Sequence, residues 1–152
     1  MKIMDIIDLD LINADLKAKN KREALEELAK MVARKEGLET ETLIPVLEER
    51  EKLGSTGIGD GIAIPHGKLK GLTKLIASFG RSSKGISFES IDGKPVHLFF
   101  LLMAPENTAG MHLKALARIS RLLKDTKFRE RLMDSKTDQE VYKVMREEDD
   151  RF

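Results

Sequence analysis

The apolar residues between Asn20 and Gly37 recur with the period of an α-helix. Asn20, followed three positions later by Glu23, is typical of a capping box at a helix N-terminus, and Gly37 is a typical C-terminal stop. The residues on the inward face of this segment are Leu25, Leu28, Ala29 and Val32. The pattern therefore predicts an amphipathic helix that begins after Asn20 and ends at Gly37.

A second helix is predicted to begin near Thr40 and to stop by Gly54. Its inward-facing residues are predicted to be Leu43, Ile44 and Leu47. Pro45 lies within this segment, and proline lacks the backbone N–H that a helix interior uses. We therefore expect Pro45 to lie near the first turn, where that N–H has no partner in any case.

Three apolar stretches are predicted to be β-strands. The first, Ile62-Ala63-Ile64, is short and is expected to end at Pro65-His66-Gly67, and the second runs from Leu75 to Phe79. The third, Val96 to Met103, is apolar at every position except His97, which is typical of a strand covered on both faces. Such cover implies helices on both sides of a sheet, so the pattern predicts an α/β fold.

The C-terminal third of the chain is predicted to be helical. One helix begins at about Thr108 or Ala109 and carries His112 in its first turn. The residues assigned to its inward face are Leu113, Leu116, Ala117 and Leu123, and those assigned to water are Lys114, Arg118, Arg121 and Lys124.

Two further helices are predicted to finish the chain. One lies around Phe128 to Met133, and the other begins at a capping box formed by Thr137 and Glu140. Val141, Val144 and Met145 are assigned to the inward face of the second of these helices. The run from Glu147 to Asp150 is the longest block of like charge in the sequence.

Composition limits the class of protein. The 152 residues, of which 41% are hydrophobic, predict one compact domain over residues 1–152. The 27 basic and 26 acidic residues nearly cancel to a net charge of +1, which argues against a nucleic-acid partner. The chain has no cysteine, so disulfides, thiolate metal sites and a cysteine nucleophile are excluded.

The same sequence argues against insertion into a membrane. The longest apolar run, Leu98 to Ala104, is far shorter than the roughly 20 residues that span a bilayer. The N-terminus has no signal-peptide core. We therefore expect a soluble cytoplasmic protein.

The three histidines are the main candidates for chemistry. His66 lies between a proline and a glycine, where an imidazole could be held exposed, although a plain turn histidine would have the same neighbours. His112 lies in a first helical turn, which favours an anion, although a surface histidine could lie there too. His97 is interpreted as structural because its strand is apolar.

Other kinds of site have little support in the sequence. The histidines lack the close spacing of metal ligands, so no metal site is predicted. The segment from Gly54 to Gly67 holds five glycines but matches neither phosphate-loop pattern, so nucleotide binding has no support. No G-x-S-x-G elbow of a serine hydrolase is present.

One motif is specific enough to indicate a family. Glu51 is followed after six residues by Ile58-Gly59, and after two more by Ile62-Ala63-Ile64-Pro65-His66-Gly67. This pattern resembles the phosphohistidine signature of the enzyme IIA domain of the phosphoenolpyruvate-dependent sugar phosphotransferase system, of the fructose/mannitol type. The later segment His112-Leu113-Lys114-Ala115-Leu116 also resembles a family feature, and the likeness covers nearly the whole chain.

The resemblance implies roles for three residues. His66 would accept a phosphoryl group from phosphorylated HPr, the phosphocarrier protein, and pass it to a cognate enzyme IIB for sugar uptake. His112 would be the second histidine of the active site, and Arg50 would stabilise charge, although Arg50 could instead pair with a neighbouring glutamate. No cofactor is implied.

Three polar residues near the motif keep two interpretations each. Ser55 or Thr56 could donate a hydroxyl to the phosphoryl group, or serve the turn. Glu51 could cap the end of a helix or orient a neighbour.

The family has a mixed sheet flanked by helices, so the expected fold becomes a single-domain α/β sandwich with a mixed central sheet. The chain also resembles a free-standing subunit rather than part of a transporter. Besides sugar transport, the nitrogen-regulatory branch of the family therefore offers a second function, in which the phosphorylation state changes the binding of partners.

Overall fold

The computed structural model describes residues 1–152 and contains five helices and six strands. The helices are α1 (Lys21–Glu36), α2 (Thr40–Lys52), α3 (Ala109–Leu123), α4 (Thr126–Asp134) and α5 (Asp138–Arg151). The strands are β1 (Ile12–Asn13), β2 (Gly57–Gly59), β3 (Ile62–Ala63), β4 (His66–Lys68), β5 (Ile76–Ile86) and β6 (Val96–Ala104). Two short 3-10 turns, Ile3–Asp5 and Leu9–Leu11, precede β1.

All six strands belong to one mixed sheet in the order β1-β5-β6-β3-β2. β5 and β6 pair antiparallel at its centre, and β1 pairs parallel to β5. β3 and β4 both pair parallel to β6, one after the other along its length. The central strand β6 therefore supports the segment that carries His66.

Helices cover both faces of this sheet, as the sequence predicts. Ser78 and Arg81 lie on opposite faces of β5, since side chains alternate along a strand. The Ser78 hydroxyl donates to the carbonyl of Leu28 in α1, whereas the Arg81 guanidinium donates to the carbonyls of Leu132 and Met133 at the end of α4. The fold is thus the expected α/β sandwich. No helix has the length and apolar character needed to span a bilayer.

The N-terminus of α1 is capped by Asn20, whose side chain accepts from the backbone N–H of Glu23 at 2.9 Å. The Glu23 carboxylate accepts from the N–H of Lys19, one residue before the expected partner. Gly37 ends the helix in the left-handed conformation, with φ of 68°. The predicted helix, its cap and its stop are confirmed.

The expectation for Pro45 is wrong, because this residue is the sixth of α2 and lies beyond the first turn. Without an N–H, Pro45 leaves the carbonyl of Glu41 without its helical donor. Both residues are exposed, so water can donate to that carbonyl instead. A proline on the solvent side of a helix therefore costs less than one on the buried side.

Two strand predictions are corrected by the pairing with β6. β5 is eleven residues long and continues past Phe79 to Ile86. Pro65 interrupts the ladder but does not end it: the Leu102 N–H donates to the Pro65 carbonyl, and His66 then begins β4 opposite Leu102. His66 therefore lies in a strand rather than at the free tip of one.

The inward face of α3 differs from the predicted one. Leu113 is 67% exposed and Ala117 is exposed, whereas the buried residues are His112, Ala115, Ile119, Leu122 and Leu123. Compared with the predicted orientation, α3 is thus rotated about its own axis by about one residue position. This rotation buries His112 and leaves Leu113 in solvent.

The acidic C-terminal run is only partly solvated. Glu148 and Asp149 are buried, and the Asp149 carboxylate accepts from Arg118 at 2.7 Å and from the N–H of Met4 at 3.0 Å. The charged tail therefore ties α5 to α3 and to the N-terminus.

Candidate functional site

His66 stands at the start of β4 with its two ring nitrogens in different surroundings. Its Nδ1 lies 2.8 Å from the carbonyl oxygen of Ile64. Because a carbonyl oxygen can only accept, Nδ1 carries the hydrogen. Nε2 then keeps its lone pair, and it accepts from Nε of Arg50 at 3.3 Å. Both hydrogen bonds require the same neutral tautomer, in which Nε2 is the nucleophilic nitrogen.

Arg50 reaches His66 because α2 lies unusually close to β4. A Cβ atom at Gly67 would come within 2.6 Å of Val46 in α2, so only glycine allows this approach. Arg50 follows Val46 by four residues and lies on the same side of the helix. Its guanidinium also donates to the carbonyl of Gly54 at 2.8 Å. Arg50 is therefore aimed at the imidazole and the loop rather than at the neighbouring glutamates.

His112 enters the site from α3 on the other side of His66. The centroids of the two imidazole rings are 5.4 Å apart, and the rings meet edge to face. His112 is only 7% exposed, so it is not the surface histidine that its place in a first helical turn also allowed. Its Nε2 atom is buried and has no hydrogen-bond partner. A buried polar atom without a partner next to a nucleophile is suited to meet an oxygen of a bound group.

Both imidazoles are held in the neutral form. Burial lowers the pKa of His66, and the nearby Arg50 charge lowers it further, while the Ile64 carbonyl and Glu51 oppose these effects. Burial also lowers the pKa of His112, with smaller contributions from His66 and Lys68. A neutral imidazole keeps the lone pair that a nucleophile needs.

The loop before β2 is held in place by Glu51, Ser55 and Thr56, the three residues whose roles the sequence left undecided. Thr56 donates its hydroxyl and its backbone N–H to the Glu51 carboxylate, the latter at 3.0 Å. The Ser55 hydroxyl donates to the carbonyl of Phe88 at 2.7 Å. Both hydroxyl hydrogens are therefore used within the loop, and Glu51 orients Thr56. Lys21, which the motif does not include, pairs with Glu51 at 3.0 Å.

His97 lies apart from this cluster. It is the second residue of β6, five residues before Leu102, which pairs with His66. Its Nδ1 donates to the carbonyl of Ser82 at 2.8 Å, which agrees with the structural interpretation. No group of three or more His, Asp or Glu side chains is arranged to hold a metal ion.

Five exposed apolar residues lie on the chain segments that carry or adjoin the site residues, and sequence periodicity missed most of them. Leu53 is 85% exposed and follows Arg50 by three residues at the end of α2. Ile58 is exposed in β2, and Ile91 is exposed next to β2, where its N–H donates to the carbonyl of Gly57. Met111 and Leu113 are exposed on either side of His112. We call these five residues the apolar rim.

Residues 5–148 match the sequence model of the family described as phosphoenolpyruvate-dependent sugar phosphotransferase system, EIIA 2. The chain belongs to this EIIA family. The match runs from the last residue of the first 3-10 turn to Glu148 in α5, and it includes Arg50, His66 and His112.

Relatives of this EIIA protein carry two kinds of name. A nitrogen regulatory protein of Bradyrhizobium diazoefficiens is 46% identical over 145 residues, which are 95% of each chain. A fructose-specific EIIA component of Haloferax volcanii is 33% identical over 146 residues, again 95% of each chain. The crystal structure of nitrogen regulatory protein IIA-Ntr from Neisseria meningitidis superposes with a TM-score of 0.88 at 36% identity, covering 94% of this chain and 98% of the other.

Proposed function

We propose that Nε2 of His66 accepts a phosphoryl group from a phosphorylated carrier of the HPr type and later gives it to a second protein. The observation that carries this proposal is the tautomer of His66. Its Nδ1 hydrogen is held by the Ile64 carbonyl, and the free lone pair of Nε2 lies beside Arg50 and the buried ring of His112.

The transfer needs no separate base. The Nε2 lone pair forms the new N–P bond while the bond between phosphorus and the donor's nitrogen breaks, and that electron pair stays with the donor. The proton on Nδ1 does not move. Negative charge on the phosphoryl oxygens is then met by the guanidinium of Arg50 and, when its proton is on Nε2, by the N–H of His112.

The apolar rim supports transient docking of protein partners. A donor and an acceptor must each present a phosphorylatable side chain to His66 and then leave. Five exposed apolar side chains on the segments that carry or adjoin Arg50, His66 and His112 would give partners an apolar contact surface. Such a relay is expected to work in the cytoplasm, with phospho-HPr as donor and an enzyme IIB as one possible acceptor.

Phosphorylation of His66 can be measured directly. With phosphoenolpyruvate, enzyme I and HPr, the protein should gain one phosphoryl group that is lost in acid and kept in base. His66→Ala should gain none, while His97→Ala serves as the matched histidine control and should be labelled normally. Undiminished labelling of the His66→Ala protein would refute the site.

A regulatory use of the phosphoryl group is the better supported of two candidates. The relative with 46% identity over 95% of both chains is named a nitrogen regulatory protein. We therefore propose that the phosphorylation state of His66 changes which proteins bind at the apolar rim. Sugar transport remains the second candidate, supported by the fructose-specific relative from Haloferax volcanii.

The two candidate functions differ in what happens to the phosphoryl group after His66 has accepted it. Phosphorylated protein mixed with a fructose-type enzyme IIB should keep its label under the regulatory proposal, apart from slow hydrolysis. Rapid transfer to the enzyme IIB would favour transport instead. In both cases His66 is the residue that carries the phosphoryl group.

A further inference from the structure

Glu51 lies under the active-site loop and is almost fully buried. Its side chain is 6% exposed, and both carboxylate oxygens bind Thr56, one at the backbone N–H and one at the hydroxyl. Lys21 at the start of α1 pairs with the same carboxylate at 3.0 Å and lies 4.7 Å from the centroid of the Phe88 ring. The buried carboxylate of Glu51 is thus paired with one cation, Lys21. Its hydrogen bonds go to a single loop residue, Thr56.

The hydrogen bonds continue from Thr56 to the nucleophile. The Thr56 carbonyl accepts from the N–H of Ile64 at 3.0 Å. The Ile64 carbonyl, in turn, accepts from Nδ1 of His66 at 2.8 Å. Lys21, Glu51, Thr56, Ile64 and His66 therefore form an unbroken chain of contacts, which we call the positioning chain. It runs from the N-terminus of α1 to the ring that is proposed to carry phosphorus.

We propose that Glu51, held by Lys21, is a positioning residue that fixes the tautomer and the orientation of His66 through Thr56 and Ile64. The inference rests on the proposed function of His66, but it concerns how the ring is prepared rather than whether it is phosphorylated. Glu51 touches neither the ring nor any group that could react. Its charge raises the pKa of His66 through space, whereas its effect on the tautomer and orientation of the ring passes through two peptide units.

The orientation of the Ile64 carbonyl decides which nitrogen can attack. The ring nitrogen that carries the hydrogen is set by the hydrogen bond that it makes. If the Ile64 carbonyl turned away, Nδ1 would lose its acceptor, and the hydrogen could move to Nε2, where it would block the lone pair. The hydrogen bond of Ile64 to Thr56 keeps this peptide segment in place, and Glu51 keeps Thr56 in place.

The positioning chain also acts on the phosphorylated form of His66. The phosphoryl group arrives on Nε2 while the proton stays on Nδ1, so the ring becomes positively charged. The Ile64 carbonyl then accepts a charge-assisted hydrogen bond from the ring. When the N–P bond breaks in onward transfer, the electron pair returns to Nε2 and the ring becomes neutral again. Holding the proton on Nδ1 therefore serves both directions of transfer.

The loop has other anchors, which makes the role of Glu51 separable from folding. Ser55 is held by the Phe88 carbonyl, and the N–H of Ile91 donates to the carbonyl of Gly57. These contacts hold the loop against the segment between β5 and β6 without Glu51. A change at Glu51 is thus expected to shift Thr56 by a small distance rather than to release the whole loop.

Two substitutions separate the geometry of Glu51 from its charge. Glu51→Gln keeps the side-chain length and an oxygen that can accept from the Thr56 N–H, but removes the charge. Glu51→Asp keeps the charge but withdraws the carboxylate by one methylene group. Glu49→Gln is the matched control, because Glu49 lies on the same helix, is exposed and pairs only with Lys52.

The tautomer of His66 is measured by the 15N chemical shifts of its ring nitrogens in the unphosphorylated full chain, above the pKa of His66. The rate of phosphorylation by phospho-HPr is measured in single turnovers, and thermal unfolding monitors the fold. We expect wild type, Glu51→Gln and Glu49→Gln to hold the hydrogen on Nδ1 and to react at rates within about threefold of each other. Glu51→Asp should show a mixed tautomer and react about tenfold to a hundredfold more slowly.

The outcomes distinguish an error about the role of Glu51 from an error about the function of His66. An unchanged tautomer and rate in Glu51→Asp would overturn the inference, as would a protein that unfolds at lower temperature with its tautomer and rate intact. Normal behaviour of Glu51→Asp with a defect in Glu51→Gln would show that charge, not position, matters. Failure of wild type to be phosphorylated would instead refute the function of His66, while the tautomer measurement would still test the positioning chain.

Discussion

At the scale of single residues, the reactivity proposed for His66 depends on a neutral imidazole. Burial and the Arg50 charge lower the pKa of His66, and burial lowers the pKa of His112 as well. Because the pKa is lowered, each ring is protonated only at a lower pH than an ordinary histidine. The nucleophile is therefore protected over the pH range in which an ordinary histidine begins to lose its lone pair.

We expect the rate of phosphorylation by phospho-HPr to fall as the pH is lowered, with its midpoint below about pH 6.5, the ordinary value for histidine. The reason is that the fraction of neutral His66 declines around the lowered pKa. Single-turnover rates from about pH 8 downwards, with the donor phosphorylated beforehand, measure the profile. A midpoint at or above about pH 6.5 would contradict the lowered pKa.

The sequence predicts which residues form the site better than it predicts their surroundings. Arg50, His66 and His112 come from separate elements, and the resemblance to the family indicated all three. The burial of His112 could not be predicted, because it depends on how α3 is rotated over the sheet. The part of Lys21 was also missed. The short connection between α1 and α2 implies that the two helices pack antiparallel, but a periodic pattern does not show which side chains then meet.

At the scale of elements, Arg81 connects the sheet to a helix end. It is buried in β5, and its guanidinium donates to the carbonyls of Leu132, Met133 and Ser135 at the C-terminus of α4. The last carbonyls of a helix have no partner within the helix and form its negative end. The Arg81 guanidinium at this end of α4 donates to three carbonyls that lack a donor within the helix. It thereby fixes α4 against the sheet.

Arg81→Met should therefore destabilise the fold by about 2 to 3 kcal/mol, because buried carbonyls lose their donor while the apolar volume is largely kept. The free energy of unfolding, obtained from urea denaturation, measures the loss. Lys84→Met, at an exposed position of the same strand, is the control and should change stability by no more than about 0.5 kcal/mol. Equal effects of the two substitutions would be inconsistent with the role of Arg81.

Helices were predicted more accurately than strands, for a physical reason. The ends of α1 and α5 are set by local contacts, such as the side chains of Asn20 and Thr137 that accept from backbone N–H groups three residues later. The length of β5 and the existence of β4 are set by pairing with β6, which is distant in sequence. A periodic pattern within one segment carries no information about such pairing.

At the scale of the whole molecule, the stability contributed by Glu148 and that contributed by the two histidines of the site respond to pH in opposite directions. Glu148 is 1% exposed, and burial together with the neighbouring Asp125 carboxylate raises its pKa to about 6. The native state thus binds this proton more tightly than the unfolded chain, so stability falls as pH rises from the ordinary value of 4.5 to about 6. The two buried histidines act oppositely, since the unfolded chain takes up their protons first as pH falls below about 6.5.

Glu148→Gln, which resembles the protonated side chain, should raise the free energy of unfolding at about pH 7.5 by up to about 2 kcal/mol. The gain should disappear towards pH 4.5, where wild-type Glu148 is itself half protonated when unfolded and neutral when folded. Urea denaturation at both pH values measures the difference. A gain that is the same at both values would show that the substitution acts by packing rather than by charge.

The edges of the sheet have a consequence for the protein in a crowded cell. The outer strands β1 and β2 have two and three residues, and β4, which pairs only with β6, has three and ends in an exposed lysine. Such short edges offer few free backbone groups on which another chain could form a strand. The molecule can therefore carry exposed apolar side chains on the segments next to His66 and His112 with little risk of joining other chains through the edges of its sheet.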